Sequence, residues 1–161
     1  MNQNNKSVLN QFQGSEGQSL LIDALRSQAL IGDRNLALEF ARHTSLEAIP
    51  QGTILIRQGD SGNDLFLVLT GEFSIVVDGE IVERRAAGQH LGEMALVDPE
   101  ALRSASVIAA CDSVVGRISE PAFSKLAERF PLLWRRIASG LAAHMRRTEP
   151  ASGARLHRAV N

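Results

Sequence analysis

A short stretch in the second half of the chain combines the residue types that bind an anion. Residues 90–107 read HLGEMALVDPEALRSASV. Gly92 allows a tight turn or a close approach of the backbone to a ligand. Arg103 offers a planar guanidinium that can bind two phosphate oxygens, and a short helix before Pro99 would direct free amides at the same anion. The pattern therefore predicts a phosphate pocket.

Glu93 requires a different role, because a carboxylate and a phosphate repel each other. A carboxylate accepts hydrogen bonds, and a sugar hydroxyl is a suitable donor for it. The helix formers that follow Glu93 are sufficient for about one turn. That turn should end before Asp98 and Pro99, since the residue before a proline is driven out of the helical region. A ligand with both a phosphate and a sugar fits this arrangement.

Residues 92–96 (GEMAL) and 103–106 (RSAS) together resemble the phosphate-binding cassette of the cyclic nucleotide-binding domain family. That family includes sensor domains of bacterial catabolite activators, cyclic-nucleotide-dependent kinases and nucleotide-gated channels. The resemblance extends over roughly residues 52–145. It implies that Glu93 binds the ribose 2′-hydroxyl and that Arg103 pairs with the cyclic phosphate. The other ligand-binding residues that it implies are Gly92, Met94, Ala95, Ser104 and Ala105.

The resemblance says less about the base of the nucleotide. Ser104 beside Arg103 is compatible with cyclic AMP and can also help to select cyclic GMP, so purine and pyrimidine both stay open. His90 and Leu91 stand where many family members carry aromatic residues, which predicts a different pocket rim. In the family the last helix often caps the base. The candidates for such a cap are Leu141, His144, Met145 and Arg147.

The elements around the cassette change from helical to strand periodicity along the chain. Residues 1–19 are polar, and we predict that they are flexible. Apolar residues recur at helical spacing from Leu20, and Asp33 can cap a second helix, which predicts helices within residues 20–49. Short strands with glycine turns follow over residues 50–119, including a type I′ signal at Asp78 and Gly79. With the family resemblance, this predicts a β jelly roll.

Two helices are predicted over residues 120–147, which completes a domain of residues 20–147. The fold class is therefore mainly β with flanking helices (α+β). The apolar stripe of the last helix consists of Leu133, Ile137, Leu141 and Met145. It could cover the barrel or the base, or meet the same helix of a second subunit in a homodimer, and these alternatives do not exclude one another. Residues 148–161 have the composition of a linker.

Composition excludes several classes of protein. The 161 residues suffice for one domain with a core, and the formal net charge of −1 gives no pull towards nucleic acid or membranes. We expect a cytoplasmic protein with no membrane segment, because a long apolar run and a signal-peptide core are both lacking. Cys111 alone cannot form an intrachain disulfide or a multi-cysteine zinc cluster, and its neighbours predict a buried thiol.

The sequence predicts neither an enzyme nor a metal site. A cyclic phosphodiesterase would need a metal cluster, or an activated nucleophile with a base. The histidines are scattered with no ligand spacing, at His43, His90, His144 and His157. Arg135 and Arg136 are expected on a solvated face of the last helix rather than in a nucleic-acid site.

The prediction is thus a sensor that binds a cyclic nucleotide monophosphate, needs no other cofactor, and relays closure through its last helix. The alternative is a scaffold or dimerisation domain that has lost its ligand, although Glu93 and Arg103 are both present. A transcription factor would need a helix-turn-helix after Arg147. The sequence instead predicts a regulatory part of a longer protein, with the output domain C-terminal. In bacteria, similar domains precede TIR effectors that answer cyclic pyrimidine nucleotides in anti-phage defence, which is compatible with this chain.

Overall fold

The computed structural model describes residues 3–148, with the side chains of residues 6–147. The helices are α1 (Gln3–Asn10), α2 (Gly14–Arg26), α3 (Arg34–His43), α4 (Met94–Val97), α5 (Glu120–Arg129) and α6 (Leu132–Thr148). The strands are β1 (Ser45–Ile49), β2 (Ile54–Ile56), β3 (Leu65–Thr70), β4 (Glu72–Val77), β5 (Glu80–Ala86), β6 (His90–Leu91), β7 (Ser106–Ala109) and β8 (Ser113–Ile118).

The strands form two antiparallel sheets of four strands each, in the orders β1-β8-β3-β6 and β2-β7-β4-β5. β3 is apolar along its length because both of its faces are buried. Phe66 and Val68 join a core cluster with residues of β2, β4 and β7, whereas Leu65, Leu67 and Leu69 join the cluster formed with the helices. The structure confirms the predicted fold class, which is mainly β with flanking helices.

The hairpin between β4 and β5 has the predicted turn. Asp78 and Gly79 have φ values of 51° and 87°, as a type I′ turn requires, and Val77 pairs with Glu80 across it. Further along, Ile75 pairs with Glu83, whereas Val76 pairs with Ile81. Val82 is therefore an extra residue on β5, and this β-bulge changes which side chains of β5 face the same side.

The N-terminal segment differs from the prediction. Residues 3–19 were expected to be flexible, but they contain α1 and the first turns of α2. Phe12 explains the difference, since it is buried in the core cluster formed by the helices, with Val8 and Leu9 packed against that cluster. Gly17 permits this arrangement because a Cβ atom there would lie 2.3 Å from the Phe12 carbonyl carbon. One buried aromatic residue outweighs the polar composition around it.

The prediction of helices through residue 49 is wrong for its last five residues. α3 begins as expected, with the Asp33 carboxylate accepting a hydrogen bond from the Leu36 amide at 2.9 Å. The chain becomes extended at Thr44, and Ser45–Ile49 forms β1. This strand pairs with β8 from Ser45 opposite Arg117 to Ile49 opposite Ser113. Pairing with a strand distant in sequence is a tertiary interaction that periodicity cannot report.

The C-terminal helices follow the prediction, but the predicted surroundings of Arg136, and those of Cys111 between β7 and β8, are wrong. α5 begins at Glu120, where the Ser119 side chain caps it and Pro121 lies in the first turn. Arg136 does not lie on a solvated face: its Nη1 donates to the carbonyls of Leu30 (2.9 Å) and Ile31. Cys111 is exposed rather than buried.

The apolar stripe of α6 is largely used within the domain itself. Leu133 and Ile137 are fully buried, and Leu141 packs against the same core cluster. Met145 remains 64% exposed. No helix within the described part of the chain is long and apolar enough to cross a bilayer. The predicted linker at residues 148–161 lies outside the described residues, apart from the helical backbone of Thr148.

Candidate functional site

A cavity of about 300 Å³ brings the cassette together with β5 and α6. All seven residues predicted from the cassette line it, namely Gly92, Glu93, Met94, Ala95, Arg103, Ser104 and Ala105. Two of the candidates for the base cap, Leu141 and His144, line it from α6. Met145 and Arg147 do not belong to the lining found among the described residues. The cavity thus joins residues that are about 50 positions apart in sequence.

Arg103 is anchored through both its backbone and its side chain. Its amide donates to the Asp60 carbonyl at 2.8 Å, and its own carbonyl accepts from the Gly59 amide at 2.8 Å. Its Nη1 donates to the Gly92 carbonyl (3.2 Å) and its Nη2 to the Asp64 carbonyl (2.9 Å). A guanidinium carries five donor hydrogens, so these contacts orient the group and still leave donors for an anion in the cavity.

The charge of Arg103 is retained although the group is partly buried. Desolvation lowers its pKa, and the nearby carboxylates of Asp64 and Glu93 oppose that effect. Guanidinium groups stay protonated in proteins, so the site presents a cation at any physiological pH. Asp64 is itself held by Arg117, whose Nε donates to Asp64 Oδ2 at 2.6 Å. That contact raises the pKa of Arg117 and keeps the Asp64 segment against Arg103.

Gly92 must be glycine for two reasons. Its φ of 84° lies in the left-handed region, which side chains disfavour. A Cβ atom there would also lie 2.7 Å from Arg103 Nη1 and 2.8 Å from the Asp64 carbonyl oxygen. The glycine thus allows the guanidinium to approach the backbone of the cassette.

Glu93 precedes α4 but does not cap it. Helix α4 is a single turn, Met94–Val97, and it stops at Asp98 as the following proline predicts. The Glu93 carboxylate accepts no hydrogen bond from the amides of this helix. Its side chain is 16% exposed, and Oε1 lies 3.9 Å from Nη2 of Arg85. The carboxylate is therefore an acceptor facing the cavity, as a ribose hydroxyl requires.

Glu83 and Arg85 on β5 also line the cavity, although neither was predicted from the sequence. Arg85 Nη2 donates to Glu83 Oε2 at 3.0 Å, and both side chains are largely buried. Glu83 also lies near α6, with His144 Nδ1 at 3.3 Å and Arg147 Nη2 at 3.7 Å. Charged residues two positions apart on a strand just before the cassette were the available signal.

His90 lies in the cavity wall between these charged groups. Burial lowers its pKa, Glu93 opposes that shift, and Arg85 adds to it. The imidazole is therefore neutral at pH 7 and offers one donor and one acceptor. The rim position that the family often fills with an aromatic residue is thus polar in this chain.

The described residues include no group of three or more His, Cys, Asp or Glu side chains arranged to hold a metal ion. The polar groups that line the cavity include donors on the Arg103 side and, on the other side, the Glu93 carboxylate with Glu83, Arg85 and His90. This arrangement can bind an anionic, hydroxyl-bearing ligand without forming a bond to it.

Comparisons with known proteins agree with this geometry. The family profile described as cyclic nucleotide-binding domain matches residues 46–130. The Pycsar effector protein BcPycTIR of Burkholderia cepacia is 40% identical over 139 residues, which are 86% of this chain and 46% of that protein. XpPycTIR of Xanthomonas perforans, also a Pycsar effector protein, is 38% identical over the same shares of the two chains. The chain spans about half the length of these curated relatives.

Solved structures show the same fold. The catabolite activator protein of Thermus thermophilus is 30% identical, with a TM-score of 0.62 over 68% of this chain and 53% of that one. The regulatory domain of Toxoplasma gondii PKA with cAMP is 28% identical, with a TM-score of 0.62 over 71% of this chain and 46% of that one. A profile that covers more than half of the sequence, including both sheets and the cassette, means that the chain belongs to the cyclic nucleotide-binding domain family.

Proposed function

We propose that this chain is a sensor that binds a 3′,5′-cyclic nucleotide monophosphate in the cavity beside Arg103. The observation that carries the proposal is the convergence of Gly92, Glu93 and Arg103 on one cavity. The cyclic phosphate accepts hydrogen bonds from the guanidinium, and the ribose 2′-hydroxyl donates to the Glu93 carboxylate. A site of this kind binds and releases its ligand unchanged, so the chain acts as a regulatory domain.

The signal passes to α6 in this proposal. Leu141 and His144 of α6 line the same cavity as the cassette, so a base bound there contacts the helix directly. Ligand contacts that form only when α6 lies against the cavity stabilise this position of the helix. The resulting shift in population is limited by the ligand's differential affinity for the two positions of α6. We propose that the position of α6 is the output of the domain.

We propose further that the output belongs to a TIR effector and that the ligand is a cyclic pyrimidine nucleotide. Two observations support this. The curated relatives with 38–40% identity are named Pycsar effector proteins, and this chain spans about half of their length. The family resemblance adds an expectation, because it implies that similar bacterial domains precede TIR effectors that answer cyclic pyrimidine nucleotides in anti-phage defence. A cyclic purine would instead indicate general second-messenger signalling.

A homodimer through α6 stays a prediction. Leu133 and Ile137 are fully buried in the domain's own core, so a second subunit would have to contact the exposed side chains of the helix. Trp134 is 37% exposed and contacts Phe123 edge to face, with 5.3 Å between ring centroids, and Met145 is more exposed. Sedimentation with and without ligand tests this prediction, since a dimer seam on α6 should respond to ligand binding.

Calorimetry tests the proposed function. Cyclic UMP, CMP, AMP and GMP are titrated into the parent protein, into Arg103→Ala and into Arg135→Ala, where Arg135 is an exposed control on α6. We expect binding of at least one nucleotide at micromolar or lower concentration, lost in Arg103→Ala and kept in Arg135→Ala. If the folded parent binds none of the four, the proposal is wrong and the alternative of a scaffold or dimerisation domain is favoured.

A further inference from the structure

The β-bulge in β5 places an unusual set of side chains in the cavity. Because Val82 is an extra residue on this strand, Val82 and Glu83 both line the cavity although they are adjacent in sequence. Arg85 lines it as well, two positions further on. Arg84, between them, is exposed and pairs with Glu72 at 2.6 Å. The strand thus presents one apolar and two charged side chains to the cavity and directs a third charge elsewhere.

Arg85 carries a buried donor that no described residue uses. Its side chain is 14% exposed, and its Nη2 donates to Glu83. Its Nε is fully buried and has no hydrogen-bond partner within the described part of the chain. Leaving a buried donor of a charged group unpaired is costly, and such groups are rare in folded proteins. The protein alone therefore does not satisfy the Arg85 guanidinium, and the Arg85 side chain lines the cavity, where a ligand can supply acceptors.

Glu83 fixes the position of this guanidinium. It binds Arg85 on the strand and lies within 4 Å of both His144 and Arg147 on α6. Arg85 Nη2 also lies 3.9 Å from Glu93, the proposed partner of the ribose. Arg85 is therefore placed beside the sugar and away from the backbone contacts that hold Arg103.

The surroundings of Arg85 suit a base. Ile75, Val77 and Val82 supply an apolar wall in the same cavity, on which a flat ring can pack. The edge of the ring then needs polar partners. A guanidinium donates hydrogen bonds only, so it requires an acceptor on the ligand. Uracil, cytosine and guanine each carry an exocyclic carbonyl oxygen as an acceptor, whereas the acceptors of adenine are ring nitrogens and its exocyclic group is an amino donor.

We propose that Arg85 is a specificity-determining residue that donates to a carbonyl oxygen of the base, and so favours uracil, cytosine or guanine over adenine. This assignment rests on the proposed function, because it assumes that a cyclic nucleotide occupies the cavity. Glu83 is the positioning residue for the contact. The same two side chains connect base recognition to α6, because Glu83 joins Arg85 to His144 and Arg147.

The test compares four nucleotides in four proteins. Cyclic UMP, CMP, GMP and AMP are titrated calorimetrically into the parent, Arg85→Gln, Arg84→Gln and the double variant Glu83→Gln/Arg85→Gln. Arg84→Gln is the matched control, since it is the adjacent arginine on the same strand and points elsewhere. In Arg85→Gln alone, the buried Glu83 carboxylate loses its partner, which could unfold the protein. The double variant removes both charges and keeps the test valid in that case.

We expect the parent to bind at least one carbonyl-bearing nucleotide more tightly than cyclic AMP. Arg85→Gln and the double variant should weaken that nucleotide by about tenfold to a hundredfold, the value of a hydrogen bond from a charged donor. Cyclic AMP should change by less than about threefold, so the selectivity collapses. Arg84→Gln should behave like the parent.

Three outcomes would overturn the assignment while leaving the proposed function intact. They are a parent that prefers cyclic AMP, an Arg85→Gln protein that loses all four nucleotides equally, and an Arg85→Gln protein that binds all four like the parent. A loss shared by all four nucleotides would show that Arg85 serves the sugar, the phosphate or the fold. A folded parent that binds none of the four would overturn both the proposed function and this assignment.

Discussion

The two sides of the cavity are built in different ways. On the phosphate side, Arg103 is held by backbone carbonyls of Gly92 and Asp64 and by backbone hydrogen bonds to Gly59 and Asp60. On the other side, β5 meets α6 through side chains, with Glu83 near Arg85, His144 and Arg147. Backbone contacts are fixed by the fold, whereas ion pairs between elements can exchange partners. The side proposed to bind the phosphate is thus preorganised, and the side proposed to bind the base is adjustable.

This difference explains how one site can combine general and selective binding. Every cyclic nucleotide carries the same phosphate and ribose, so a rigid cradle for them loses little conformational freedom on binding. Bases differ, and the end of α6 beyond the buried Leu133 and Ile137 meets Glu83 through partly exposed ion pairs that break at low cost. The adjustable side includes α6, through which we propose that the signal is transmitted.

The largest effect is expected at Arg103, which tests the preorganised side. Arg103→Ala removes a charge-assisted bidentate contact and should weaken ligand binding by about 2–4 kcal/mol. Calorimetry with the preferred nucleotide measures this change. A loss that is the same for every base would support a cradle for the common phosphate, whereas a base-dependent loss would contradict the division of the cavity into two sides.

Glu93 should have the next largest effect, and it should be specific for the ribose. Glu93→Ala removes an ionised acceptor. The lost hydrogen bond from the ribose hydroxyl should weaken ligand binding by about 1.5–3 kcal/mol. The 2′-deoxy analogue of the preferred nucleotide lacks that hydroxyl, so the variant should lose most of its preference for the ribonucleotide. Competition between the two ligands measures this preference. Equal preference in parent and variant would remove Glu93 from the ribose site.

His90 lines the cavity near Glu93 and Arg85, and its burial predicts a pH dependence of stability. Its pKa is lowered in the folded protein, mainly by burial, from an ordinary value of about 6.5. Below pH 6.5 the unfolded chain therefore binds more protons than the folded one. The contribution of His90 to the free energy of unfolding is constant above that pH and falls as the pH decreases through it.

The substitution His90→Gln should reduce the loss in the free energy of unfolding that occurs as the pH decreases. Denaturant unfolding at pH 7.5 and pH 5.5 measures the free energy of unfolding of the parent and the variant, with the exposed His43→Gln as control. A variant that declines as steeply as the parent would show that other groups cause the pH dependence.

The smallest effect is expected at Arg147, on the adjustable side. Its side chain is 64% exposed and its Nη2 lies 3.7 Å from Glu83. Arg147→Ala should lower the free energy of unfolding by less than about 1 kcal/mol, and high salt should remove the difference. Thermal unfolding at low and high salt measures this, with the exposed Arg146→Ala as control. A large, salt-independent effect would mean that α6 is held as rigidly as the cassette.

Much of the cassette could be predicted because its residues act through local geometry. Gly92, Glu93 and Arg103 fall within twelve positions, and the turn before Pro99 limits the helix between them. The type I′ turn at Asp78 and Gly79 was predictable for the same reason. The packed, helical N-terminal segment was not predictable, since Phe12 is buried only when α1 packs on the helical cluster and on β1.

The sequence by itself determined most strands and turns after residue 50, the family, and the residues that suit a phosphate and a ribose. These follow from local conformational limits, since glycine, proline and alternating apolar residues restrict the backbone wherever they occur. Only the tertiary structure decided that Glu83 and Arg85 share a cavity with α6. That proximity depends on a bulge in β5 and on the packing of a helix about 60 residues further on, and neither leaves a periodic mark in the sequence.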